Sequence, residues 1–278
     1  MTGATGYVGR HTLQHFLNNG HLVVALTRNT PKFDHENLNW INGSLEKPET
    51  YSDGLKEVDA IVHMAMEYPG NPDRSSADKI AVEAFIDSGK FIAYTGNLYT
   101  SYQPGKTITE ELLPQGHYWW NDHEAMILNA AQSSAVIRLG FVYGGDGGYL
   151  WPGLSPNENG SIPYTGSLDH HWPFVHVEDV ARLYEMVITH KSKGIFHATD
   201  DKAITVGEIL ETVTRLQGGT AVEVSLSKAQ ERLGGFADHM LKDILVTKER
   251  AVQFGWKPKH PSFLDSADES YANYLAAQ

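Results

Sequence analysis

Residues 2–9 form a glycine-rich loop of a type that binds phosphate. They read T-G-A-T-G-Y-V-G, with a glycine at every third position. Gly3 permits a tight turn, Gly6 lets the backbone approach a pyrophosphate, and Gly9 lets the next helix pack closely on a sheet. The free N–H groups at the start of that helix favour negative charge. The loop therefore predicts a bound dinucleotide.

The segments beside the loop fit this prediction. Residues 12–19 have apolar side chains at helical spacing and are followed by Gly20, a typical C-cap. Residues 21–26 are β-rich and predict the strand that carries the ribose-binding residue. Only Met1 precedes Thr2, so the apolar strand expected before the loop is missing. Either the sequence begins short of the natural start or the first strand is built differently, and we favour the first explanation.

Strand and helix signals alternate along the first half of the chain. This alternation predicts an α/β fold, a Rossmann-type doubly wound parallel sheet with a smaller C-terminal substrate lobe. We expect residues 1–165 to form mainly the cofactor-binding lobe and 166–278 mainly the substrate lobe, with about 174–200 returning to the first. Predicted strands are 21–26, 38–43, 58–65, 91–95, 135–139 and 194–198. Predicted helices are 12–19, 79–88, 122–132, 178–190 and 206–216, with a mostly helical tail from residue 228 and loops over 144–173.

Composition limits the possible partners. The 278 residues are 41% hydrophobic and carry a formal net charge of −12. This charge disfavours nucleic acid and anionic membranes as partners. The sequence contains no run of eighteen apolar residues, so we expect no transmembrane helix. The chain has no cysteine, which excludes disulfides and thiolate chemistry. We expect a cytoplasmic protein with a small-molecule substrate; the oligomeric state is left open.

Several segments together resemble one protein family. They are the loop at 2–9, VDAIVHMA at 58–65, FIAYTG at 91–96, VIRLGFVYG at 136–144, PFVHVEDVA at 173–181 and GWKP at 255–258. In this order the segments resemble the extended short-chain dehydrogenases/reductases, which include the NAD-dependent epimerases/dehydratases. The resemblance implies a nicotinamide cofactor and an active site between two lobes. The cofactor-binding residues that it implies are Gly3, Thr5, Gly6, Tyr7, Val8, Arg10, Arg28, Met64, Ala65, Thr95, Leu139, Phe141 and Val142.

The residues at the end of the predicted strand 21–26 distinguish between the two nicotinamide cofactors. An acidic residue there would bind the ribose 2′-hydroxyl of NAD(H), whereas a cation accommodates the 2′-phosphate of NADP(H). Arg28 occupies this region, and Arg10 follows the glycine loop. We therefore expect NADP(H) rather than NAD(H); the alternative is that both arginines are solvated surface residues.

The catalytic positions depart from the family pattern. The resemblance implies a Ser or Thr and a Tyr followed four residues later by Lys, and Thr95 and Tyr118 match the first two. Asp122 stands where the lysine belongs, and no lysine occurs between Lys106 and Lys191. A carboxylate disfavours the phenolate, so Tyr118 would be a poor base but could still donate a hydrogen bond. We expect Thr95 and Tyr118 to polarise the substrate, with Asp122 or a neighbouring histidine such as His123 modifying proton transfer.

Two questions about this region stay open. His117 or His123 could supply a proton, since histidine titrates near neutral pH, although each could equally be structural. Tyr99 is a further possible donor. An alignment on Glu124, as the family's helix glutamate, would place Gly116 and Trp120 at the Tyr and Lys positions, which is worse for the tyrosine and no better for the lysine.

Other clusters give weaker signals. His11 with His15, or His170 and His171 with His176, have spacings that could hold a metal, but neither set has an obvious third ligand, and we expect no metal. Aromatic residues crowd the region of the expected pocket: Trp119, Trp120, Tyr149, Trp151, Tyr164 and Trp172. Only Arg138 and Arg182 are cationic between residues 107 and 190, which disfavours a nucleotide-sugar substrate.

The sequence therefore predicts an NADP(H)-dependent reductase or dehydrogenase acting on a small, fairly apolar carbonyl or hydroxyl compound. Two alternatives stay open because the lysine is absent. One is an isomerase, epimerase, dehydratase or lyase on the same scaffold. The other is a non-catalytic regulator that senses NADP.

Overall fold

The computed structural model describes residues 1–29, 31–66, 73–112, 118–130 and 133–278. The chain forms two compact units. Unit 1 comprises Met1–Thr100, Gly116–Arg138 and Val180–Phe196, and unit 2 comprises Ser101–Gln115, Leu139–Asp179 and His197–Gln278. The two units hold nearly equal shares of the chain, because residues 101–115 and 139–165, predicted in the first lobe, fall in unit 2.

Strands and helices alternate through most of the chain. The strands are β1 Val23–Thr27, β2 Leu38–Asn42, β3 Ala60–His63, β4 Phe91–Asn97, β5 Ser134–Leu139, β6 Phe141–Tyr143, β7 Ser161–Tyr164, β8 His171–Trp172, β9 Phe174–His176, β10 Gly194–Ala198, β11 Ile204–Thr205 and β12 Thr220–Glu223. The helices are α1 Tyr7–Asn18, α2 Ser52–Glu57, α3 Arg74–Asp87, α4 Trp119–Asn129, α5 Leu150–Gly153, α6 Val177–His190, α7 Val206–Gln217, α8 Leu226–Leu233, α9 Ala237–Met240, α10 Glu249–Gln253 and α11 Phe263–Ala276.

Unit 1 is organised by a parallel sheet. β1 pairs in parallel with β2, and β3 pairs in parallel with β4, placing His63 beside Tyr94. Thr2 forms parallel bridges to both Leu26 and His63, so it joins these two strand pairs. Beyond β3, the strand order of the sheet continues through β4 and β5 to β10. The predicted α/β class with a Rossmann-type parallel sheet is confirmed.

The helices of unit 1 cover this sheet with apolar side chains. α1 buries Leu13, Phe16 and Leu17, which recur on one face at helical spacing. α3 buries Ala81, Val82 and Phe85 in a core that also contains residues of β3, β4 and β5. β5 is buried at every position, including the polar residues Ser134 and Arg138, so both faces of this strand are covered.

Unit 2 has its own aromatic core. Trp151, Trp172, Phe174 and Phe263 are fully buried there, and the Phe174 and Phe263 rings stack with centroids 4.8 Å apart. α7 begins with a capping box in which Thr205 and Glu208 bind each other's main-chain N–H groups.

The prediction of loops over residues 144–173 was wrong in part. α5, β7 and β8 lie in this stretch. β7 pairs in parallel with β12, more than fifty residues later, and β8 pairs antiparallel with β11. These elements are two to four residues long, and their pairing comes from tertiary contacts that have no local sequence signal.

Among the described residues, no helix combines the length and the apolar character that a membrane span requires.

Candidate functional site

The glycine loop has the geometry that its spacing predicts. Gly3 has φ +71°, a left-handed conformation, and a Cβ there would lie 2.6 Å from the main-chain nitrogen of Ala65. A Cβ on Gly9 would lie 1.9 Å from the carbonyl oxygen of Gly3. Both positions therefore require glycine, for the turn and for the close contact between helix and loop.

The start of α1 is arranged for an anion. Gly6 is the N-cap, so it supplies no side-chain hydrogen bond to the helix, and the first turn contains no acidic residue. Gly6 itself is exposed, and its N–H donates to the Gly3 carbonyl over 3.0 Å. The remaining main-chain N–H groups at this end give a positive partial charge that a pyrophosphate would neutralise. Of the other loop residues assigned to the cofactor, Thr5 is exposed while Tyr7 and Val8 are half-buried.

Thr2 ties the loop to the end of β3. Its Oγ1 accepts hydrogen bonds from the N–H groups of Met64, at 3.3 Å, and Ala65, at 3.2 Å. It also lies 2.7 Å from Nδ1 of His63. The predicted cofactor residues Gly3, Met64 and Ala65 are therefore brought together at one edge of the sheet.

The two arginines occupy different environments. Arg28 is exposed and comes directly after β1, where a turn between Thr27 and Asn29 is held by hydrogen bonds in both directions. Arg10 is half-buried on α1, and its guanidinium lies 5.5 Å from the centre of the Tyr7 ring. The residues on either side of Arg28 in the sequence, Thr27 and Asn29, are not acidic.

Thr95 lies near the end of β4 and is half-buried. Its hydroxyl donates to the main-chain oxygen of His63 over 2.7 Å and lies 2.6 Å from the hydroxyl of Tyr184. The carbonyl can only accept, so the single Thr95 proton is directed at it and Tyr184 donates to Thr95. Burial raises the pKa of Tyr184 above its ordinary value, which keeps that phenol protonated. Sequence reasoning missed Tyr184 because nothing local marks it.

Helix α4 carries the other three residues assigned to catalysis. Tyr118 is its N-cap and is 47% exposed. Asp122 is also exposed, whereas His123 is only 3% exposed and its ring packs 5.2 Å from that of Trp119. His123 is therefore turned into the core while Tyr118 and Asp122 face outward.

A buried network surrounds Asp78 of α3. His63 Nε2 lies 2.9 Å from Asp78 Oδ1, and His123 Nδ1 lies 2.6 Å from Oδ2. The Tyr94 hydroxyl also donates to Oδ2 over 2.9 Å. Burial alone would raise the pKa of Asp78, but the hydrogen bonds from His123 and His63 lower it well below its usual range. Burial and the adjacent Asp78 charge raise the pKa of Tyr94.

A second buried pair anchors α4 to the sheet. Arg138 of β5 donates to Glu124 from Nε over 2.9 Å and from Nη2 over 2.8 Å, and both side chains are almost fully buried. Burial raises the pKa of Glu124, and the Arg138 charge opposes that rise. A Cβ on Gly96 would lie 2.3 Å from Glu124 Oε1, so the pair approaches β4 closely. Arg138 is thus committed to a structural ion pair.

The remaining predicted residues fall in other places. Leu139, Phe141 and Val142 belong to unit 2, where Leu139 is buried and the other two are half-buried. His117 and Gly116 lie outside the described residues. Tyr99 is buried, and burial raises its pKa. Of the aromatic set, Trp151 and Trp172 are core residues of unit 2, Tyr149 is 77% exposed, and Trp119 and Trp120 stack with centroids 4.4 Å apart.

The histidine sets considered for a metal have other partners. His15 pairs with Glu185 at 2.7 Å, and His21 pairs with the same carboxylate at 2.9 Å. His171 pairs with Asp243 at 2.8 Å, and His170 contacts the main-chain oxygen of Met240.

Among the described residues, one histidine cluster does bring ligand atoms together, at His176, Glu178 and His260. The His176 and His260 rings stack 3.6 Å apart at 23°. Stacked rings direct their in-plane lone pairs side by side rather than toward a common ion, which fits a metal centre poorly.

Comparisons with known proteins agree with this geometry. The model of the NAD dependent epimerase/dehydratase family matches residues 1–86. An uncharacterized protein of Schizosaccharomyces pombe is 25% identical, with 98% of each chain covered. The human epimerase family protein SDR39U1, solved with NADPH, superimposes with a TM-score of 0.75 at 19% identity, covering 98% of each chain. The UDP-glucose 4-epimerase of Thermus thermophilus, solved with NAD, gives a TM-score of 0.76 at 15% identity, covering 100% of this chain and 98% of the epimerase.

The fold is the Rossmann-type α/β fold of these epimerase-family structures. At these identities the solved structures establish the fold alone, and the family model matches the part that contains the glycine loop, β1–β3 and most of α3. The resemblance to the extended short-chain dehydrogenases/reductases that the motifs indicated is confirmed.

Proposed function

We propose that the protein is an NADP(H)-dependent oxidoreductase acting on a small, fairly apolar carbonyl or hydroxyl compound, at a site without the family's lysine. The observation that carries the proposal is the start of α1. There an uncapped helix end, a left-handed Gly3 and the Met64–Ala65 backbone form a cradle suited to a pyrophosphate. A dinucleotide whose pyrophosphate is bound there would supply or accept the hydride through its nicotinamide ring.

The preference for NADP(H) is supported by the end of β1. Arg28 is exposed and directly follows β1, where a ribose 2′-phosphate would need a cation. A guanidinium offers a planar pair of donors that matches phosphate oxygens. The relatives include one solved with NADPH and one solved with NAD, so they leave both cofactors open.

The environments of Arg138 and Arg182, the two arginines between residues 107 and 190, support the proposed substrate class. Arg138 is held by Glu124, which leaves it unsuited to binding a substrate phosphate. Arg182 is half-buried. A nucleotide-sugar substrate needs cations for its pyrophosphate, so a small uncharged compound fits this region better. The net charge of −12 further supports a small-molecule ligand rather than nucleic acid or a membrane surface. We place this activity in the cytoplasm.

Proton transfer is assigned to Tyr118. Its phenol is exposed at the start of α4 and can donate to a developing alkoxide, with Asp122 one turn further on. Thr95 contributes only if its proton leaves the His63 carbonyl, because its hydroxyl is engaged there. A tyrosine that donates a hydrogen bond without an adjacent lysine predicts slow turnover.

The test is a turnover screen with NADPH over uncharged aldehydes and ketones, run with wild type and with the variants Thr95→Ala and Tyr118→Phe. We expect Tyr118→Phe to lower kcat about 100-fold with cofactor affinity unchanged, and Thr95→Ala to lower kcat about 10-fold. Tyr274→Phe removes a half-buried hydroxyl on α11, a helix with no assigned role in the reaction, and serves as the control. Substrate conversion without net change in NADPH indicates an isomerase or lyase. Cofactor binding with no conversion at all indicates a sensor.

A further inference from the structure

The hydrogen bonds around Thr2 fix the form of the His63 ring. Thr2 Oγ1 accepts from both Met64 and Ala65, which occupies its two lone pairs. Its own proton is therefore directed at Nδ1 of His63, 2.7 Å away. The ring must then carry its proton on Nε2, from which it donates to Asp78. The tautomer of the His63 ring is therefore determined by Thr2 of the glycine loop.

Asp78 collects donors from three elements. His63 lies on β3, Tyr94 on β4 and His123 on α4. Each places a side-chain donor atom within 3.0 Å of a carboxylate oxygen of Asp78. The carboxylate is 4% exposed. A buried carboxylate that accepts from several donors stays ionised and holds them rigidly, since losing any of them leaves charge uncompensated.

The same network reaches both parts of the candidate site. The main-chain oxygen of His63 receives the Thr95 proton, so a shift of His63 moves Thr95. His123 lies next to Asp122 and one turn from Trp119, at the start of the helix that Tyr118 caps.

We propose that Asp78 is a positioning residue for the reaction, holding Thr95 and the first turn of α4 in a fixed relation through His63 and His123. This rests on the proposed function. Asp78 touches neither cofactor nor substrate in this role; it acts by keeping the two hydroxyl groups aligned. Small misplacements of reacting groups lower turnover far more than they lower binding.

The test uses His123→Leu and His123→Asn. Leucine removes the donor to Asp78, whereas the asparagine amide keeps an N–H near the Nδ1 position. We expect kcat to fall about 10- to 100-fold in His123→Leu and to recover to within about threefold of wild type in His123→Asn. The dissociation constant for NADPH stays within about twofold in both. Glu83→Gln, an exposed carboxylate on the same helix as Asp78, is the matched control.

Two results overturn the proposal. One is an unchanged kcat in His123→Leu, and the other is a loss of NADPH affinity as large as the loss of kcat. If His123→Leu does not fold, ¹⁵N NMR of wild-type imidazoles decides: His63 protonated on Nε2 supports the network and on Nδ1 contradicts it.

Failure of the proposed function is recognised separately, as absence of NADPH binding or turnover in wild type. Hydrogen exchange in Asp78→Asn then replaces turnover as the readout. Faster exchange over residues 119–124 at unchanged global stability supports positioning, and unchanged exchange contradicts it.

Discussion

At the scale of single residues, the role of Thr95 depends on which hydrogen bonds its hydroxyl can still form with a ligand. Its proton is directed at the His63 carbonyl and one lone pair receives the Tyr184 proton, so one acceptor position is left. In this state Thr95 fits a ligand hydroxyl or carboxamide N–H better than a carbonyl. To donate to a carbonyl it must exchange one hydrogen bond for another, a step that costs about 1 kcal/mol when the new bond is weaker.

Arg28 carries the prediction on cofactor choice. We expect Arg28→Asp to shift the ratio of NADPH to NADH affinity about tenfold or more toward NADH, because it replaces a partner for the 2′-phosphate by one for the 2′-hydroxyl. The measurement is the pair of dissociation constants from cofactor fluorescence. Lys32→Asp makes the same charge change at another exposed position and controls for general electrostatics. An unchanged ratio in Arg28→Asp rules out the assignment.

At the scale of elements, α1 and the loop before it act as one rigid piece. The helix packs so closely on the loop that a side chain at Gly9 would collide with the Gly3 carbonyl, and one at Gly3 would collide with the main chain after β3. The position of the helix end, and of any phosphate held there, therefore depends on Gly3 and Gly9 having no side chain.

Gly9→Ala tests this packing. The added methyl would lie 1.9 Å from the Gly3 oxygen, so α1 must move away from the sheet. We expect a loss of about 1–3 kcal/mol in the free energy of unfolding and at least a tenfold loss of NADPH affinity. Urea unfolding and fluorescence titration measure the two effects. Gly153→Ala, also in a helix but with open space around its Cβ, is expected to change neither.

The elements that could be predicted are those whose signals are local. The glycine loop, α1 and β3 follow from spacing and side-chain type within about ten residues. The role of Asp78 could not be predicted, because it is a polar residue inside an ordinary helix. Its histidine partners lie 15 and 45 positions away in the chain. The sequence marked His123 as a proton donor, but only its pairing with Asp78 shows that the ring points into the core. That pairing depends on how α3 and α4 pack, which no local pattern encodes.

At the scale of the whole molecule, the two units differ in how they hold buried charge. Unit 1 holds its buried carboxylates Asp78 and Glu124 with hydrogen bonds from His63 and His123 and with an ion pair to Arg138. Unit 2 contains Asp200, 4% exposed, which receives a hydrogen bond from Tyr143 over 3.2 Å. Burial raises the pKa of Asp200 to about 7, and the nearby Lys248 opposes this only in part. The folded protein therefore binds this proton more tightly than the unfolded chain does.

Stability should fall with rising pH across this interval. The unfolded carboxyl loses its proton near pH 4 and the folded one near pH 7, so the stabilisation is complete below pH 4, declines between, and is lost above pH 7. We expect Asp200→Asn to raise the melting temperature at pH 8, by about 2–4 °C for each kcal/mol recovered, and to have little effect at pH 4. Asp169→Asn, an exposed carboxylate of unit 2, is the control. A benefit independent of pH contradicts the titration of Asp200.

The six tryptophans give the molecule its own optical labels. Trp40, Trp119 and Trp120 belong to unit 1 and are half-buried, whereas Trp151, Trp172 and Trp256 belong to unit 2 and are fully enclosed. Indoles in contact with water emit at longer wavelengths than indoles in an apolar interior. The red and blue edges of the emission band therefore report on different units, and a single fluorescence experiment can show whether the two melt together or in sequence.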